Sequence, residues 1–439
     1  MFNSLIGLLT VFGMSVIGAH PEGDYDEYGG WKLINGEKTG YFHVQQIDGV
    51  WWLIDPEGNV FLSKGVNHIS FTADNAPTLG YSPYGRVTAE KYGNASSWAK
   101  QAIQNFWNWG FNTVGAWSHR ETFVQKMPYT MILGLGSATG ADWQKGSFPD
   151  VFSEKFRSAI EEKAKRLCAP VAEDPYLLGY FIDNELRWGP DWRSQKTLFD
   201  DFLAMPEHFA GKKTLVNMLR EIYGSIEKAN EVFGTNARSF DELPTPLSLS
   251  PAAMEVKKVK SIFLQRVAEQ YFKVCAESIR ESDPDHLILG CRFAGYAPKE
   301  VVLGMNGWVD VVSYNNYDFL PPEGKLDEIH QDTGKPIMLT EFSFKAMDSG
   351  LPNTKGAGRP VETQDDRARH FEQYVTKLMS LPYAVGFHWF EYADEPAEGR
   401  FDGENSNYGL VNIKDEPWEI LIQKMSELNR RIESIHRGS

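Results

Sequence analysis

Short apolar runs recur along the chain and mostly alternate with stretches whose apolar residues have helical spacing. The helical spacing is clear at Ser96–Gly110, where Gly110 is a stop signal, and at 151–171, where Ser153 is suited to cap the helix. Eight apolar runs have the length of buried strands, and they end near Asn67, Trp117, Leu135, Asp183, Cys291, Asn315, Glu341 and Phe390. Apolar strands separated by helices are typical of a parallel sheet covered on both faces.

Eight strand–helix units predict an α/β fold of the (β/α)₈ TIM-barrel type with insertions. An open, doubly wound sheet is the alternative. That fold usually has a glycine-rich phosphate-binding turn after its first strand, and the corresponding stretch, GVNHIS, is not such a turn.

Two further segments flank or interrupt the repeating units. The turn Asp55–Asn59 separates two strand-like runs and predicts a short N-terminal β-hairpin, and the acidic, glycine-rich stretch before it predicts a surface leader. After the fourth strand, a long excursion at about 188–251 is helical over 214–234 and ends in a proline-rich stretch. We interpret it as a helical insertion.

The N-terminus contains an apolar run from Leu5 to Ala19 that ends in small residues. The run is shorter than the roughly 20 residues that a membrane span requires. It predicts a signal peptide at residues 1–19, followed by a single (β/α)₈ catalytic domain at 20–439. We therefore expect a secreted or periplasmic protein with no integral membrane segment in the mature chain.

Charge and composition narrow the range of partners. The net charge of −15 disfavours nucleic acid, because phosphate binding requires clustered lysine and arginine. Aromatic residues make up 13% of the chain, and their flat faces suit sugar rings as well as a large core. The three cysteines show no metal-binding spacing, and His68, His119 and His388 lie on different predicted strands without an HxH or HExxH pattern. We expect no metal and no cofactor.

Polar residues follow several predicted strands, and two of these residues are glutamates. Asn184 and Glu185 end the fourth strand and Glu341 ends the seventh. In a barrel of this type the carboxyl ends of the strands meet around the active site, so the two carboxylates should face each other. A pair of carboxylates about 5–5.5 Å apart is the apparatus of retaining glycoside hydrolysis. Burial and mutual repulsion should separate their pKa values, so that one donates a proton while the other stays ionised.

Other strand ends carry candidates for substrate binding. A tyrosine in the run Tyr314–Tyr317, after the sixth strand, can hydrogen-bond a carboxylate. Arg187 and Arg292 have two open interpretations, binding of an acidic sugar or pairing with neighbouring carboxylates. Trp188 and Trp192 either form a subsite wall or pack the long loop against the barrel, and Glu391 and Asp394 lie in a polar loop that either selects substrate or is simply solvated.

Three stretches carry a resemblance to known families: WWLIDPEGNVFLSKGVNHI, LLGYFIDNELRWG and GFHWFEYADEP. Together with the paired glutamates they resemble glycoside hydrolase clan A, and more narrowly the beta-agarase family fifty. The stretch LREIYGSIEKANEVFGT is similar to an insertion of the beta-galactosidase family forty-two. The resemblance covers about 40–418.

The resemblance implies a role for each matching residue. Glu185 would be the general acid/base, Glu341 the nucleophile and Asn184 the ligand of the sugar 2-hydroxyl. Tyr317, with Tyr314 as the second choice, would hold the nucleophile. The remaining expected pocket residues are Trp389 as a platform under the sugar, and Asn67, His68, Trp117, Trp188 and Glu391 along the walls.

The sequence therefore predicts a retaining β-glycoside hydrolase, exo-acting on galacto-type oligosaccharides or polysaccharide fragments. The alternatives are an endo-acting glucanase or mannanase of the same clan, a transglycosylase, and a non-catalytic carbohydrate-binding barrel.

Overall fold

The computed structural model describes residues 23–245, 253–295 and 297–438. The predicted signal peptide and much of the proline-rich end of the insertion lie outside the described residues. The strands are β1 (Trp31–Asn35), β2 (His43–Ile47), β3 (Val50–Ile54), β4 (Asn59–Phe61), β5 (Ser63–Val66), β6 (Thr113–Val114), β7 (Tyr129–Ile132), β8 (Leu177–Phe181), β9 (Leu287–Ile288), β10 (Phe293–Ala294), β11 (Val312–Asn315), β12 (Ile337–Phe342), β13 (Lys345–Ala346), β14 (Pro360–Val361) and β15 (Ala384–Trp389). The α-helices are α1 (Pro83–Tyr92), α2 (Ala95–Asn108), α3 (Arg120–Phe123), α4 (Glu154–Cys168), α5 (Leu198–Leu203), α6 (Ala210–Tyr223), α7 (Ile226–Phe233), α8 (Ala253–Ser282), α9 (Lys299–Met305), α10 (Glu323–Thr333), α11 (Gln364–Met379), α12 (Glu419–Asn429) and α13 (Ile432–Arg437).

The largest sheet is parallel and follows the order β10-β11-β12-β15-β5-β6-β7-β8-β9. Its two outer members, β9 and β10, belong to one segment that is interrupted where Gly290 (φ 84°) and Arg292 (φ 48°) turn the backbone left-handed. The first half pairs with β8 and the second with β11, and Ile288 O accepts a hydrogen bond from Asp310 N at 2.9 Å. The segment thus acts as one barrel strand and closes the ring, which confirms the predicted (β/α)₈ fold.

Local sequence signals account for the helices that cover the barrel. Ser153 accepts a hydrogen bond from Phe156 N at the start of α4, as predicted. Helix α2 begins after Asn94, whose side chain caps it. The predicted helical stretch 214–234 consists of two helices, α6 and α7, because Gly224 has a φ of 75° and ends the first.

The N-terminal strands form a four-stranded antiparallel sheet in the order β1-β4-β3-β2, which is larger than the predicted hairpin. The predicted surface leader is wrong for Tyr28 and Trp31, which are buried, because β1 pairs with β4. Residues of this sheet share one apolar cluster with side chains from inside the barrel, namely Phe42, Leu53 and Phe61 with Leu178, Phe181, Leu287, Leu289, Val311, Met338 and Val385. The sheet therefore closes the amino-terminal end of the barrel and leaves the opposite end open.

A buried ion pair joins the first barrel strand to the C-terminal helix. Lys64 Nζ lies 2.6 Å from Glu433 Oε1, and both side chains are almost fully buried. Removing one partner leaves an uncompensated charge in the interior, so Lys64→Met should lower the free energy of unfolding in urea by about 3 kcal/mol. The control is Lys38→Met, which breaks the exposed pair with Glu57 and should change it by less than about 1 kcal/mol. Equal losses in the two variants would contradict this account of Lys64.

Among the described residues, no helix combines the length and the apolar character that crossing a bilayer requires.

Candidate active site

A cavity of about 1090 Å³ opens at the carboxyl ends of the barrel strands. The predicted site residues in its wall are His68, Trp117, Asn184, Glu185, Tyr317 and Glu341. They come from the ends of strands β5, β6, β8, β11 and β12, which is where a (β/α)₈ barrel places functional side chains. The fold thus brings together residues that are up to 273 positions apart.

Backbone strain is concentrated at this mouth. His68, Trp117, Glu185 and Arg292 have φ values of 53°, 59°, 50° and 48°, a left-handed region that non-glycine residues seldom adopt. Each follows or interrupts a barrel strand. Such strain costs about 1–3 kcal/mol per residue and persists where the surrounding structure imposes it, commonly at functional sites.

Glu341 lies between a cation and a phenol. Arg292 Nη2 is 3.0 Å from Glu341 Oε1, and the hydroxyl of Tyr317 donates to Glu341 Oε2 at 2.9 Å. Both contacts favour the ionised carboxylate. Burial nevertheless raises the pKa of Glu341 to about 7, with Arg292 and Tyr317 opposing this effect and the charge of Glu185 adding to it.

Among the described residues, the carboxyl group of Glu185 accepts hydrogen bonds from two neutral donors. Its Oε1 accepts from Asn315 Nδ2 at 3.1 Å and its Oε2 accepts from Trp143 Nε1 at 2.9 Å. Its own backbone N donates to Arg292 O at 3.1 Å, which attaches it to the interrupted barrel strand. Glu185 is also less buried than Glu341.

The two carboxyl groups are electrostatically coupled, because the charge of Glu185 raises the pKa of Glu341. The raised pKa thus belongs to Glu341, the residue expected to stay ionised, whereas a raised pKa was expected for the proton donor, Glu185. Arg292 and Tyr317 both favour the Glu341 anion and so limit this rise.

Arg292 connects the polar groups beneath the site. Its Nη1 donates to Asn184 Oδ1 at 3.1 Å, and its Nη2 donates to Thr340 O at 2.7 Å and to Asn67 Oδ1 at 3.4 Å. Asn67 is fully buried and supports Arg292 rather than lining the cavity. Asn184 also accepts from Asn315 Nδ2 at 3.2 Å, so its oxygen is occupied and its amide nitrogen remains for a ligand.

A second charged group lies at the cavity edge. His68 Nδ1 contacts Glu391, which is buried behind it, and lies 3.7 Å from Asp74 Oδ2. Burial alone would lower the pKa of His68, but the charges of Glu391 and Asp74 outweigh it and raise the pKa to about 9. These three side chains have metal-ligand spacing, and Arg400 Nη1 lies 3.9 Å from Asp74, so a cation bound here would compete with the proton of His68 and with Arg400.

Several predicted site residues lie away from the cavity. Trp389 is fully buried, donates to Tyr408 O at 2.8 Å and packs against Phe342, so it is not a platform for a sugar. Alternation along β15 turns it outward, and the next residue, Phe390, lines the cavity instead. The remaining residues that the structure places in the core or behind the wall are Tyr314, Trp188 and Glu391. Trp188 stacks on Phe272 of α8, so the structure supports packing over substrate binding for this residue.

Sequence reasoning also missed functional candidates. Trp143, in the loop after β7, contacts Glu185, and Phe390 and Arg400 lie in the cavity wall. The available signal for Trp143 was a tryptophan in the polar stretch TGADWQKG shortly after the third predicted strand. Of the two open interpretations of Arg292, the structure supports ion pairing, because its guanidinium lies 3.0 Å from Glu341 Oε1.

Comparison with known proteins places the chain among sugar-cleaving enzymes. The model of glycoside hydrolase family 42, described as beta-galactosidase, matches residues 126–435. Beta-agarase B and beta-agarase A of Vibrio sp. (strain JT0107) are each 28% identical to the chain, over 92% and 88% of its length. The chain spans 50% and 45% of those two proteins.

Solved structures with a similar fold include an agarase and a beta-galactosidase. An exo-beta-agarase has a TM-score of 0.84 at 25% identity, with 94% of this chain and 68% of that chain covered. A beta-galactosidase from Marinomonas ef1 has a TM-score of 0.54 at 14% identity, with 79% and 59% covered, which shows a shared fold alone. Since the family model matches more than half of the sequence, the chain belongs to the beta-galactosidase family of glycoside hydrolases.

Proposed function

We propose that the protein is a retaining β-glycoside hydrolase that acts from the chain end on galacto-type oligosaccharides or polysaccharide fragments. The observation that carries this proposal is the placement of Glu341 between Arg292 and Tyr317, in the wall of the cavity that also contains Glu185. A carboxylate supported by a cation and a phenol, beside a second carboxyl with neutral partners, suits a nucleophile beside an acid.

In the first step, a Glu341 oxygen forms a bond to the anomeric carbon while the glycosidic C–O bond breaks. The proton of Glu185 moves to the departing oxygen, so the leaving sugar is released as a neutral hydroxyl compound. In the second step, ionised Glu185 takes a proton from water, whose oxygen attacks the anomeric carbon and displaces Glu341. Arg292 and Tyr317 stabilise the Glu341 anion before the first step and after the second.

The charge of the cavity wall supports a neutral substrate. Seven carboxyl groups line it, from Asp74, Asp142, Glu185, Asp318, Glu341, Asp402 and Glu404, against three cationic side chains, from His68, Arg359 and Arg400. Arg400 is already engaged, since its Nη2 lies 2.6 Å from Glu404 and its Nε lies 3.3 Å from Glu395. A sulfated or carboxylated sugar would meet net repulsion here.

Walls on two sides support exo-action. Trp192 of the insertion stands on one side, and Phe390, Arg400 and Phe401 of the loop after β15 stand on another. One solved relative of the chain is described as an exo-beta-agarase. Proton NMR of the first product formed from a neutral agaro-oligosaccharide tests the proposal, with a β-anomer released from one chain end as the expected result. An α-anomer would contradict retention, and random internal cleavage would support the endo-acting alternative.

The acidic limb of kcat/KM should lie near pH 7. Glu341 must be ionised to attack, and burial raises its pKa to about 7, so activity should fall as the pH drops through that value. An aryl β-galactoside assayed from pH 4 to 10 measures this limb. A limb at the ordinary glutamate value of 4.5 would contradict the raised pKa of Glu341.

Tyr317→Phe should reduce kcat about 10- to 100-fold, because a hydrogen bond to a charged group contributes about 1.5–3 kcal/mol. The hydrogen bond from Tyr317 lowers the pKa of Glu341, so its loss should raise that pKa and move the acidic limb to higher pH. Tyr314→Phe is the matched control, since Tyr314 lies in the core, and kcat should stay within about threefold of the parent. A larger loss of kcat in Tyr314→Phe than in Tyr317→Phe would show that the contact with Glu341 is assigned to the wrong tyrosine.

A further inference from the structure

The loop at 140–147, after β7, carries Trp143 to the carboxyl group of Glu185. The indole Nε1 donates to Glu185 Oε2 at 2.9 Å, while the ring lines the cavity and is 37% exposed. The other oxygen, Oε1, accepts from Asn315 Nδ2 at 3.1 Å. Each oxygen of Glu185 thus has one N–H donor and keeps a lone pair for the proton that it exchanges.

The insertion after β8 fixes this loop in place. Arg193 Nη1 donates to Trp143 O and to Glu185 O, both at 2.9 Å, so one nitrogen joins the backbones of the two residues. The Arg193 side chain is almost fully buried and is oriented by Asp191 Oδ2 at 2.6 Å. Arg187 Nε donates to Gly146 O at 2.7 Å and secures the end of the loop.

We propose that Trp143 is a positioning residue that orients Glu185 for proton transfer and forms the wall against which the departing sugar packs. The inference rests on the proposed function, because it requires Glu185 to be the acid/base. Glu185 must reach the glycosidic oxygen, so an exposed ring within hydrogen-bond distance of its carboxyl group lies beside the leaving sugar. Arg193 of the insertion then contributes to catalysis through Trp143, although it does not line the cavity itself.

The indole N–H also affects the charge of Glu185. A donor to a carboxylate stabilises the ionised form, which is the form that activates water in the second step. The other charged or titratable groups that interact with Glu185 are Glu341 on β12, Arg292 in the interrupted strand and Tyr317 after β11. A change at Trp143 leaves all three in place, so a shift of the pH profile would report on the indole itself.

Trp143→Phe keeps an aromatic ring and removes the N–H. We expect the basic limb of kcat/KM to move up by about one pH unit. Hydrolysis of an unactivated oligosaccharide should slow about tenfold, whereas a dinitrophenyl glycoside, which needs little acid assistance, should slow less than about threefold. The control is Trp109→Phe: this indole lies at the C-terminal end of α2, outside the cavity lining, and the basic limb of the variant should match the parent.

Labelling with a dinitrophenyl 2-fluoroglycoside separates this inference from the proposed function, because the label forms on Glu341 without acid assistance. The inference is supported if the parent and Trp143→Phe are both labelled and the basic limb of kcat/KM is shifted in Trp143→Phe alone. Superimposed pH profiles with normal labelling overturn the role of Trp143 and leave the proposed function standing. Absence of labelling in the parent overturns both.

Discussion

Glu341→Gln should lower kcat by at least about 10⁴-fold, the largest loss expected from any single substitution in this protein. Glutamine keeps the size of the side chain but cannot form the glycosyl ester, so double displacement stops at its first step. Steady-state assays with an aryl β-galactoside measure the loss, and single-turnover assays show whether any intermediate forms.

The variant should still fold, which makes the loss interpretable. Arg292 keeps Asn184, Thr340 and Asn67 as acceptors, so its guanidinium is not left without partners. A melting temperature within a few degrees of the parent is the control. A folded variant that retains more than a tenth of the parent activity would remove Glu341 from the chemistry.

Glu185→Ala should produce the second-largest effect, and its size should depend on the leaving group. General acid catalysis contributes about 10²- to 10⁴-fold, so oligosaccharides with poor leaving groups should lose activity in this range. A dinitrophenyl glycoside should still form the Glu341 intermediate, because its leaving group needs little protonation. Water attack is then slow, since no base activates it.

Azide provides a sharp check on this assignment. It needs no base, so it should accelerate turnover of the dinitrophenyl substrate by Glu185→Ala and give a β-glycosyl azide. The acceleration should be absent in the parent enzyme. An α-glycosyl azide would place the missing carboxylate on the opposite face of the sugar and exchange the roles of the two glutamates.

The barrel and its paired glutamates were accessible from sequence because both depend on local patterns. Strands such as β8, β12 and β15 are largely apolar, and Glu185 and Glu341 stand at the carboxyl ends of such runs, so the rule that strand ends meet placed the two glutamates together. The same apolar character leaves no sequence pattern that shows which residues of a strand point into the barrel and which point out. All six residues of β15 are buried, so no polar alternation indicated that Trp389 turns outward and that Phe390 lines the cavity.

Other features of the site depend on contacts between distant segments. The position of Trp143 is set by Arg193 of the insertion, 50 residues away, and no local pattern predicts that contact. The raised pKa of Glu341 follows from its burial, which only the closed barrel determines. The core position of Trp31 follows from pairing of β1 with β4.

Peptide mapping after treatment with a 2-fluoro-β-galactoside bearing a good leaving group identifies the nucleophile in the unmodified protein. One fluorosugar should be attached per chain, through an ester to Glu341, in the peptide that contains KPIMLTEF. An enzyme that hydrolyses β-galactosides but becomes esterified at Glu185, or forms no adduct, would contradict this assignment.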